Sequence, residues 1–200
     1  MENTIKYGLF AYILLNFGLT FVLPSYRVWK RTGVSPITFS NSDNAHDYIG
    51  RVFKMLLTAI VATGAVYAFF PYWVSFLMPA GYLEKPFLQM AGIAILFLAL
   101  VWIAVAQYQM SNSWRIGIDE KHKTDLVTGG IFSISRNPIF LGMLTTLFGL
   151  FLVIPNAITF MVFITGFIVV QIQVRLEEEF LLKTHGDDYK NYCTKTKRWF

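Results

Sequence analysis

The chain has 200 residues, of which 55% are hydrophobic and 14% charged, and its formal net charge is +5. A soluble domain carries about 25% charged residues, so this composition excludes an ordinary soluble fold. The mean hydropathy of +0.50 reflects long apolar runs, and hydrocarbon is the solvent that accepts them. The basic residues flank these runs, so the lipid bilayer, and not nucleic acid, is the expected partner of the positive charge.

Five apolar runs are predicted to be membrane spans, because a helix needs about 20 apolar residues to cross ~30 Å of hydrocarbon. In chain order they cover about 7–24, 52–78, 87–108, 138–155 and 157–176. Pro71 is expected to kink the second run or to end it early, since proline removes a helical hydrogen bond. Pro155 and Asn156 are the only break between the last two runs, which predicts a tight antiparallel helical hairpin.

The distribution of lysine and arginine predicts the orientation, because cytoplasmic loops are enriched in both. Of the 17 basic residues, all but Lys6 and Lys85 lie after the first run, after the third run or in the tail. Five spans place these three segments on one side. The predicted fold is therefore an all-α integral membrane protein with its amino terminus outside and its carboxyl terminus in the cytosol. The expected location is the bacterial cytoplasmic membrane, or the endoplasmic reticulum of a eukaryote.

No stretch resembles a linker or an internal repeat, so residues 1–200 are predicted to form a single membrane domain. Residues 1–110 supply three spans, and residues 111–200 form the part to which we assign the chemistry. No metal is expected, because the histidines lack metal-ligand spacing. Three tryptophans near span boundaries on the basic side are predicted to be headgroup anchors: Trp29, Trp114 and Trp199.

Two cytosolic segments, 111–137 and 175–200, hold nearly all the remaining ionisable groups and bracket the hairpin. The hairpin should bring them together at one membrane face. Arg136 is either a topological anchor or a clamp for a ligand carboxylate, which its planar fork matches. Asn137 suits a helix cap and Pro138 suits a first helical turn.

Three carboxylates, Glu177, Glu178 and Glu179, follow directly on the fifth run. Acidic residues at the edge of hydrocarbon are costly and often functional. Helical spacing separates successive side chains by about 100°, so at most one or two of the three can face the protein interior. The alternative is a solvated acidic turn that pairs with Lys183.

The order of several short motifs across about 121–200 carries a family resemblance. The motifs are Leu126-Val127-Thr128-Gly129-Gly130-Ile131-Phe132, then Arg136-Asn137-Pro138-Ile139-Phe140, then Glu177-Glu178, and finally Gly186-Asp187-Asp188-Tyr189 with Tyr192. Together they resemble the isoprenylcysteine carboxyl methyltransferase family. Its members are membrane-embedded enzymes that use S-adenosylmethionine and release S-adenosylhomocysteine.

The resemblance implies a cofactor pocket at the cytosolic face. It assigns cofactor binding to Leu126, Val127, Phe132, Arg136, Asn137, Pro138, Phe140 and Glu177. It implies catalytic roles for Arg136 and Glu178, and it places substrate binding near Gln173 or Arg175. Phe132 and Phe140 stand where tyrosines are usual in the family, and Asn137 stands where histidine is usual.

The implied function is methyl transfer from S-adenosylmethionine to a lipophilic or small acceptor, with a prenylcysteine-like carboxylate as one candidate. Gln173 occupies the position of the family's carboxylate-binding arginine, and Arg175 lies two residues away. A phospholipid amine or a small thiol is therefore an alternative acceptor. Either would need a base, for which Glu178, Tyr189 and His185 are candidates. The remaining alternative is a non-catalytic membrane protein with a degenerate pocket.

Overall fold

The computed structural model describes residues 2–40, 42–119, 122 and 124–200. Asn41, Lys121 and Lys123 of the predicted polar segments lie outside these residues. The regular secondary structure of the described part is helical, as predicted. Its seven α-helices are α1 Glu2–Phe17, α2 Leu23–Thr32, α3 Ala45–Phe69, α4 Pro86–Met110, α5 Pro138–Val153, α6 Ala157–His185 and α7 Asp187–Lys195.

Four helical stretches have the length and hydropathy of membrane spans in the described part of the chain. They are Thr4–Thr32, Ala45–Phe69, Pro86–Ser113 and Ala157–His185. The fourth predicted run forms α5, which has 16 residues and extends for about 24 Å, somewhat less than the hydrocarbon thickness. The chain is thus a multi-pass membrane protein, and the count of five crossings stays a prediction.

The first helix does not end at Pro24 as the sequence predicts. A π-helical turn, Gly18–Val22, joins α1 to α2, and the backbone N–H of Leu23 bonds to the carbonyl of Gly18. Proline cannot donate to the carbonyl four residues earlier, which belongs to Thr20. The side chain of Gln107 on α4 donates to that carbonyl over 2.6 Å instead. Because a partner replaces the lost bond, the helix continues to Thr32.

The second predicted run ends early, at Phe69, and Pro71 begins a 3₁₀-helix, Pro71–Leu77. The start of α3 follows the polar segment before it, since the side chain of Asn44 accepts a hydrogen bond from the backbone N–H of Asp47 over 2.7 Å. This bond satisfies one of the free N–H groups of the first turn. The helix therefore covers the apolar part of the run without the aromatic residues that follow it.

Helices α5 and α6 form the predicted antiparallel hairpin. Two ring pairs, Phe148 with Phe163 and Phe151 with Phe160, have centroids 5.6 Å apart. The later residue of α5 contacts the earlier residue of α6, so the two helices run antiparallel. Asn156 caps α6 in a capping box with Thr159. Helix α5 also packs closely on α4. A Cβ atom on Gly92 would lie 2.8 Å from the carbonyl oxygen of Gly149, so glycine is required there.

The connecting segments gather at two opposite ends of the helices. At one end, the backbone N–H of Ile116 donates to the carbonyl of Pro36 over 2.8 Å, which joins the segments after α2 and after α4. At the other end, the N–H of Ala80 donates to the carbonyl of Pro155 over 2.8 Å. The predicted basic segments share the first end, which we call the basic end.

Candidate functional site

The three carboxylates near the end of α6 point in three directions, as their helical spacing requires. Glu177 lies on the wall of a cavity between the helices. Glu178 is 11% exposed and faces Arg136 and Arg198. Glu179 is 62% exposed and pairs with Lys183 over 2.7 Å. The solvated-turn interpretation therefore describes Glu179 alone. The run is part of α6, which continues to His185 beyond the predicted end at 176.

Glu178 is the centre of a group of four side chains, Arg136, Asn137, Glu178 and Arg198, which we call the Glu178 cluster. Its Oε1 accepts from Arg136 Nε at 3.2 Å and Nη2 at 3.0 Å, and from Asn137 Nδ2 at 3.1 Å. Its Oε2 accepts from Arg198 Nε at 3.0 Å and Nη2 at 2.7 Å. Charge-assisted bonds of this kind are about twice as strong as neutral ones. The cluster therefore ties α6, the start of α5 and the tail to one another.

Backbone contacts continue this connection along the tail. The guanidinium Nη1 of Arg136 donates to the carbonyl of Thr196 over 2.7 Å, and the backbone N–H of Arg136 donates to the carbonyl of Lys197 over 3.0 Å. The hydroxyl of Ser135 donates to the carbonyl of Arg198 over 3.1 Å. The tail is thereby fixed against the segment that leads into α5.

Tyr189 and Tyr192 of α7 lie on one buried helical face, with ring centroids 6.1 Å apart. The chain reverses before them at Gly186, whose φ of +55° favours glycine. The Tyr192 hydroxyl donates to the carbonyl of Phe132 over 2.5 Å. Burial raises the pKa of Tyr192 to about 12. Burial, and then the charge of Glu178, also raises the pKa of Tyr189, so its phenol is not a base near neutral pH.

The main cavity of the described residues has a volume of about 620 Å³ and lies among α1, α3, α4, α5 and α6. This volume is typical of sites for small organic ligands. The walls are mostly apolar, with side chains such as Ile13, Leu57, Phe140 and Leu150. Polar side chains on the walls include Asn16, Thr20, Gln107, Arg115, Gln173 and Glu177.

The cavity reaches the molecular surface near the basic end. Val22 and Ile37 line it and are also more than half exposed, and Lys54 lines it nearby. Trp114 lies on its wall and is only 4% exposed. The prediction that Trp114 is a headgroup anchor is therefore wrong, because its indole is buried on the cavity wall. Trp29 is exposed, which agrees with the predicted anchoring.

Gln173 and Glu177 form the polar part of the α6 wall, one helical turn apart. The amide Nε2 of Gln173 donates to Oε1 of Glu177 over 2.8 Å. Gln173 is 1% exposed, and its Oε1 has no hydrogen-bond partner in the described part of the chain. Most buried polar atoms have a partner, so this oxygen distinguishes the site.

The predicted site residues separate into two groups. Phe140, Gln173 and Glu177 line the cavity. Arg136, Asn137 and Glu178 lie together in the Glu178 cluster and are absent from the cavity wall as far as the structure describes it. Phe132 is buried beside Tyr192, and Pro138 is buried at the start of α5, where its carbonyl accepts from Trp102.

The other predicted residues stand apart from these groups. Leu126 and Val127 are partly exposed in the segment before Gly130–Ser133. Arg175 is exposed, and its Nη1 bonds to the carbonyl and the side chain of Gln171 on the same helix. The predicted roles of all these residues in cofactor and substrate binding stay predictions.

Sequence reasoning missed three contributors. Arg198 appeared only as a basic residue of the tail, and its sequence gives no signal of its contact with Glu178. Arg115 likewise counted only toward topology, although it lines the cavity and bonds to Asp119 over 3.0 Å. Gln107 did carry a signal, because it is a polar residue near the end of an otherwise apolar run.

The fold and the cavity define the chain as an all-helical membrane protein with a largely apolar internal site. Residues 88–188, just over half of the chain, match the family described as phospholipid methyltransferase. The chain belongs to this family of membrane methyltransferases, in agreement with the family resemblance in the carboxyl-terminal half. The match begins in α4, earlier than the predicted start near 121, and ends before Arg198. No curated protein matches the chain significantly.

Proposed function

We propose that the chain transfers a methyl group from S-adenosylmethionine to a lipophilic or small acceptor within the cavity. The observation that supports this function most strongly is a mostly apolar cavity of about 620 Å³ with a carboxylate on its wall, in a chain of a methyltransferase family. An apolar enclosure suits an acceptor that arrives from the bilayer. The carboxylate of Glu177 suits a positively charged ligand.

The residues of the cavity fit the chemistry of this cofactor. S-adenosylmethionine has two cationic groups, a sulfonium and an ammonium, and an adenine with apolar faces. Glu177 would hold a cationic group, and the ring of Phe140 would pack against an apolar one. The cofactor supplies an electrophilic methyl group on its sulfur when it is bound. The amide Nε2 of Gln173 donates to Glu177 on the same wall and so helps to hold that carboxylate in place.

The protein's contribution to this chemistry is alignment and exclusion of water. Displacement at a methyl group requires the reacting atoms to lie in line, and holding them so removes much of the barrier. Side chains such as Phe140, Leu147 and Leu150 keep water from this region. Glu177 is the carboxylate on the cavity wall, and it could accept a proton from an amine or a thiol.

We assign positioning roles to the Glu178 cluster. Arg136 and Glu178, the two residues with predicted catalytic roles, bond to each other and to the tail. Asn137 joins the same cluster. These bonds fix the start of α5, which carries Phe140 at the cavity. Arg136 would thus act on the reaction through the position of α5.

The acceptor belongs to one of three chemical classes: a prenylcysteine-like carboxylate, a phospholipid amine or a small thiol. Arg175 points to the outer surface of α6 and bonds to Gln171, so it does not offer its charge to a carboxylate in the cavity. The opening near Val22 and Lys54 lies beside α1 and α3, and a lipophilic acceptor would enter there from the bilayer.

Binding of S-adenosylhomocysteine to the detergent-solubilised protein, measured by calorimetry, tests the function. We expect saturable binding of one molecule per chain. In the variant Phe140→Trp, a larger ring on the cavity wall should weaken binding. The matched control is Phe167→Trp on the exposed surface of α6, which should leave binding unchanged. Absence of binding by a monodisperse wild-type protein would favour a non-catalytic membrane protein.

The orientation is part of this proposal, and we propose that the basic end faces the cytosol. The segments that gather there carry the basic residues, which cytoplasmic loops favour. A reporter that functions only in the cytosol should be active when it is fused after Phe200. The control is a reporter that functions only outside the cytosol, fused at the same site, and it should be inactive. Activity of the external reporter alone would contradict the orientation and the access of a cytosolic cofactor to the cavity.

A further inference from the structure

Residues 70–85, which connect α3 to α4 at the end of the helices opposite the basic end, carry an exposed aromatic surface, and we call this segment the aromatic cap. Its 3₁₀-helix, Pro71–Leu77, contains no buried residue among those that the structure describes. Large exposed apolar side chains of the cap are Phe70, Tyr72, Trp73, Phe76, Met78 and Tyr82. The exposed apolar surface continues onto α4 through Phe87 and Met90. The lipid-facing surface of a membrane helix therefore extends without a break onto the cap.

The packing of α5 on α4 shows how deep this end of the protein lies. A Cβ atom on Gly92 would lie 2.8 Å from Cγ2 of Val153, the last residue of α5. Gly92 follows Pro86, the first residue of α4, by about 9 Å along the helix axis. Helix α4 extends for about 37 Å, only about 7 Å more than the hydrocarbon. The end of α5, and the turn that follows it, therefore lie at the depth of the hydrocarbon.

The cap supplies the protein cover that this turn requires. In hydrocarbon, irregular backbone is tolerated only where protein encloses it and its polar groups are bonded. The backbone N–H of Ala80 donates to the carbonyl of Pro155 over 2.8 Å. The N–H of Ala157 donates to the carbonyl of Met78 over 3.2 Å. Residues 154–156 are buried. The inner side of the cap thus closes the end of the α5–α6 hairpin, and its exposed rings face away from the protein.

We propose that the aromatic cap lies at the boundary between phospholipid headgroups and hydrocarbon, with its exposed rings inserted among the lipids. Tyrosine and tryptophan favour this boundary because each has an apolar ring and a polar atom that can stay hydrated. The charged residues of the cap are one acid and one base, Glu84 and Lys85, so the cap does not select headgroups by charge. Its partner is the glycerol and ester region that glycerophospholipids share. The inference depends on the packing at this end and not on the proposed methyl transfer.

Spin labels measure the depth of the cap in nanodiscs of phosphatidylcholine. In a Cys193→Ser background, which removes the one cysteine, a labelled cysteine replaces Tyr72 or Phe76, the two most exposed aromatic residues of the cap. Collisions with oxygen report on hydrocarbon, and collisions with a water-soluble nickel chelate report on water. The matched controls are Asp43→Cys in the exposed polar segment and Phe97→Cys near the middle of α4. We expect both cap labels to give a ratio of the two collision rates between those of the controls.

Three results of this experiment would overturn the proposal. A ratio equal to that of Asp43→Cys would place the rings in water, and a ratio equal to that of Phe97→Cys would place them in the hydrocarbon core. Low collision rates with both reagents would indicate that a protein, such as a second copy of the chain, covers the cap. Replacement of part of the lipid by phosphatidylglycerol should leave the ratio unchanged. Insertion that requires the anionic lipid would contradict recognition of the glycerol and ester region.

The tryptophan of the cap gives a second measurement that needs no label, in case a cysteine variant is not monodisperse. Trp73 is exposed, and the difference in fluorescence between wild type and Trp73→Phe isolates its indole from the other tryptophans. We expect lipids brominated close to the ester groups to quench this difference signal more strongly than lipids brominated near the ends of the acyl chains. Stronger quenching by the deeply brominated lipids, or quenching by aqueous iodide alone, would overturn the proposal.

Discussion

Two neighbouring faces of α6 differ in how completely the protein satisfies its own polar groups. On one face, both oxygens of Glu178 accept hydrogen bonds from Arg136, Asn137 and Arg198. On the other, Glu177 accepts one bond from Gln173, and the Gln173 carbonyl oxygen accepts none among the described residues. A satisfied cluster stabilises structure, while an unsatisfied pair on a cavity wall has capacity for a ligand. We therefore propose that the Glu178 face stabilises the structure and that the Glu177 face binds a ligand.

The largest expected effect is on the stability of the Glu178 cluster. Glu178→Gln leaves two guanidinium groups without their carboxylate, and breaking a buried ion pair costs about 3–5 kcal/mol. Arg198 is 34% exposed, so we expect a loss near 3 kcal/mol in the free energy of unfolding. Chemical denaturation in detergent measures it. If Glu178→Gln kept wild-type stability and selectively lost cofactor binding, Glu178 would be a binding residue. That result would contradict the difference between the two faces of α6.

A smaller effect is expected on binding when the other face changes. Glu177→Gln should weaken the binding of S-adenosylhomocysteine by ~10-fold or more, because it removes the charge from a charge-assisted contact worth about 1.5–3 kcal/mol. Calorimetry measures the affinity. Glu179→Gln is the matched control, since this exposed carboxylate pairs with Lys183 and should leave affinity unchanged. Similar, negligible effects of both changes would remove Glu177 from the binding site.

The variant Arg136→Lys tests whether Arg136 acts only through its positive charge or also through the hydrogen bonds of its guanidinium group. Lysine keeps the positive charge at the start of α5 but cannot reproduce the fork onto Glu178 and the bond to Thr196. We expect a loss of about 1–2 kcal/mol in the free energy of unfolding, the worth of one or two hydrogen bonds, with nearly unchanged affinity for S-adenosylhomocysteine. Unchanged stability with a selective loss of affinity would instead support the predicted clamp on the cofactor carboxylate.

The smallest expected effect concerns the contact of Tyr192 with Phe132. Tyr192→Phe removes one hydrogen bond and should cost about 1 kcal/mol at neutral pH. The pKa of Tyr192 is raised by burial to about 12 from its ordinary value of 10, so its contribution to stability is complete below pH 10 and is lost as the pH rises through 12.

Denaturation of the two proteins across this range tests the sign. The difference in stability between wild type and Tyr192→Phe should shrink between pH 10 and pH 12. The same variant should bind S-adenosylhomocysteine normally, because this contact belongs to the tail and not to the cavity. A difference that grows with pH would contradict the buried, protonated phenol.

The sequence by itself was sufficient for the features that depend on local patterns. Apolar runs of about 20 residues predicted the helices, since the need to satisfy backbone groups in hydrocarbon leaves helices as the suitable structure for such runs. The Pro155-Asn156 break predicted the hairpin, and the order of short motifs predicted the methyltransferase family. Helical spacing also showed that the three glutamates could not share one face.

Only the tertiary structure decided which partners these residues meet. Gln107 of α4 supplies the donor that lets the first helix pass Pro24, and Arg198 completes the cluster around Glu178. The burial of Trp114 and the position of Glu177 on the cavity wall depend in the same way on helices distant in the chain. Hydropathy and motif order describe neighbours in sequence, whereas the environment of a polar side chain is set by whatever the fold packs against it.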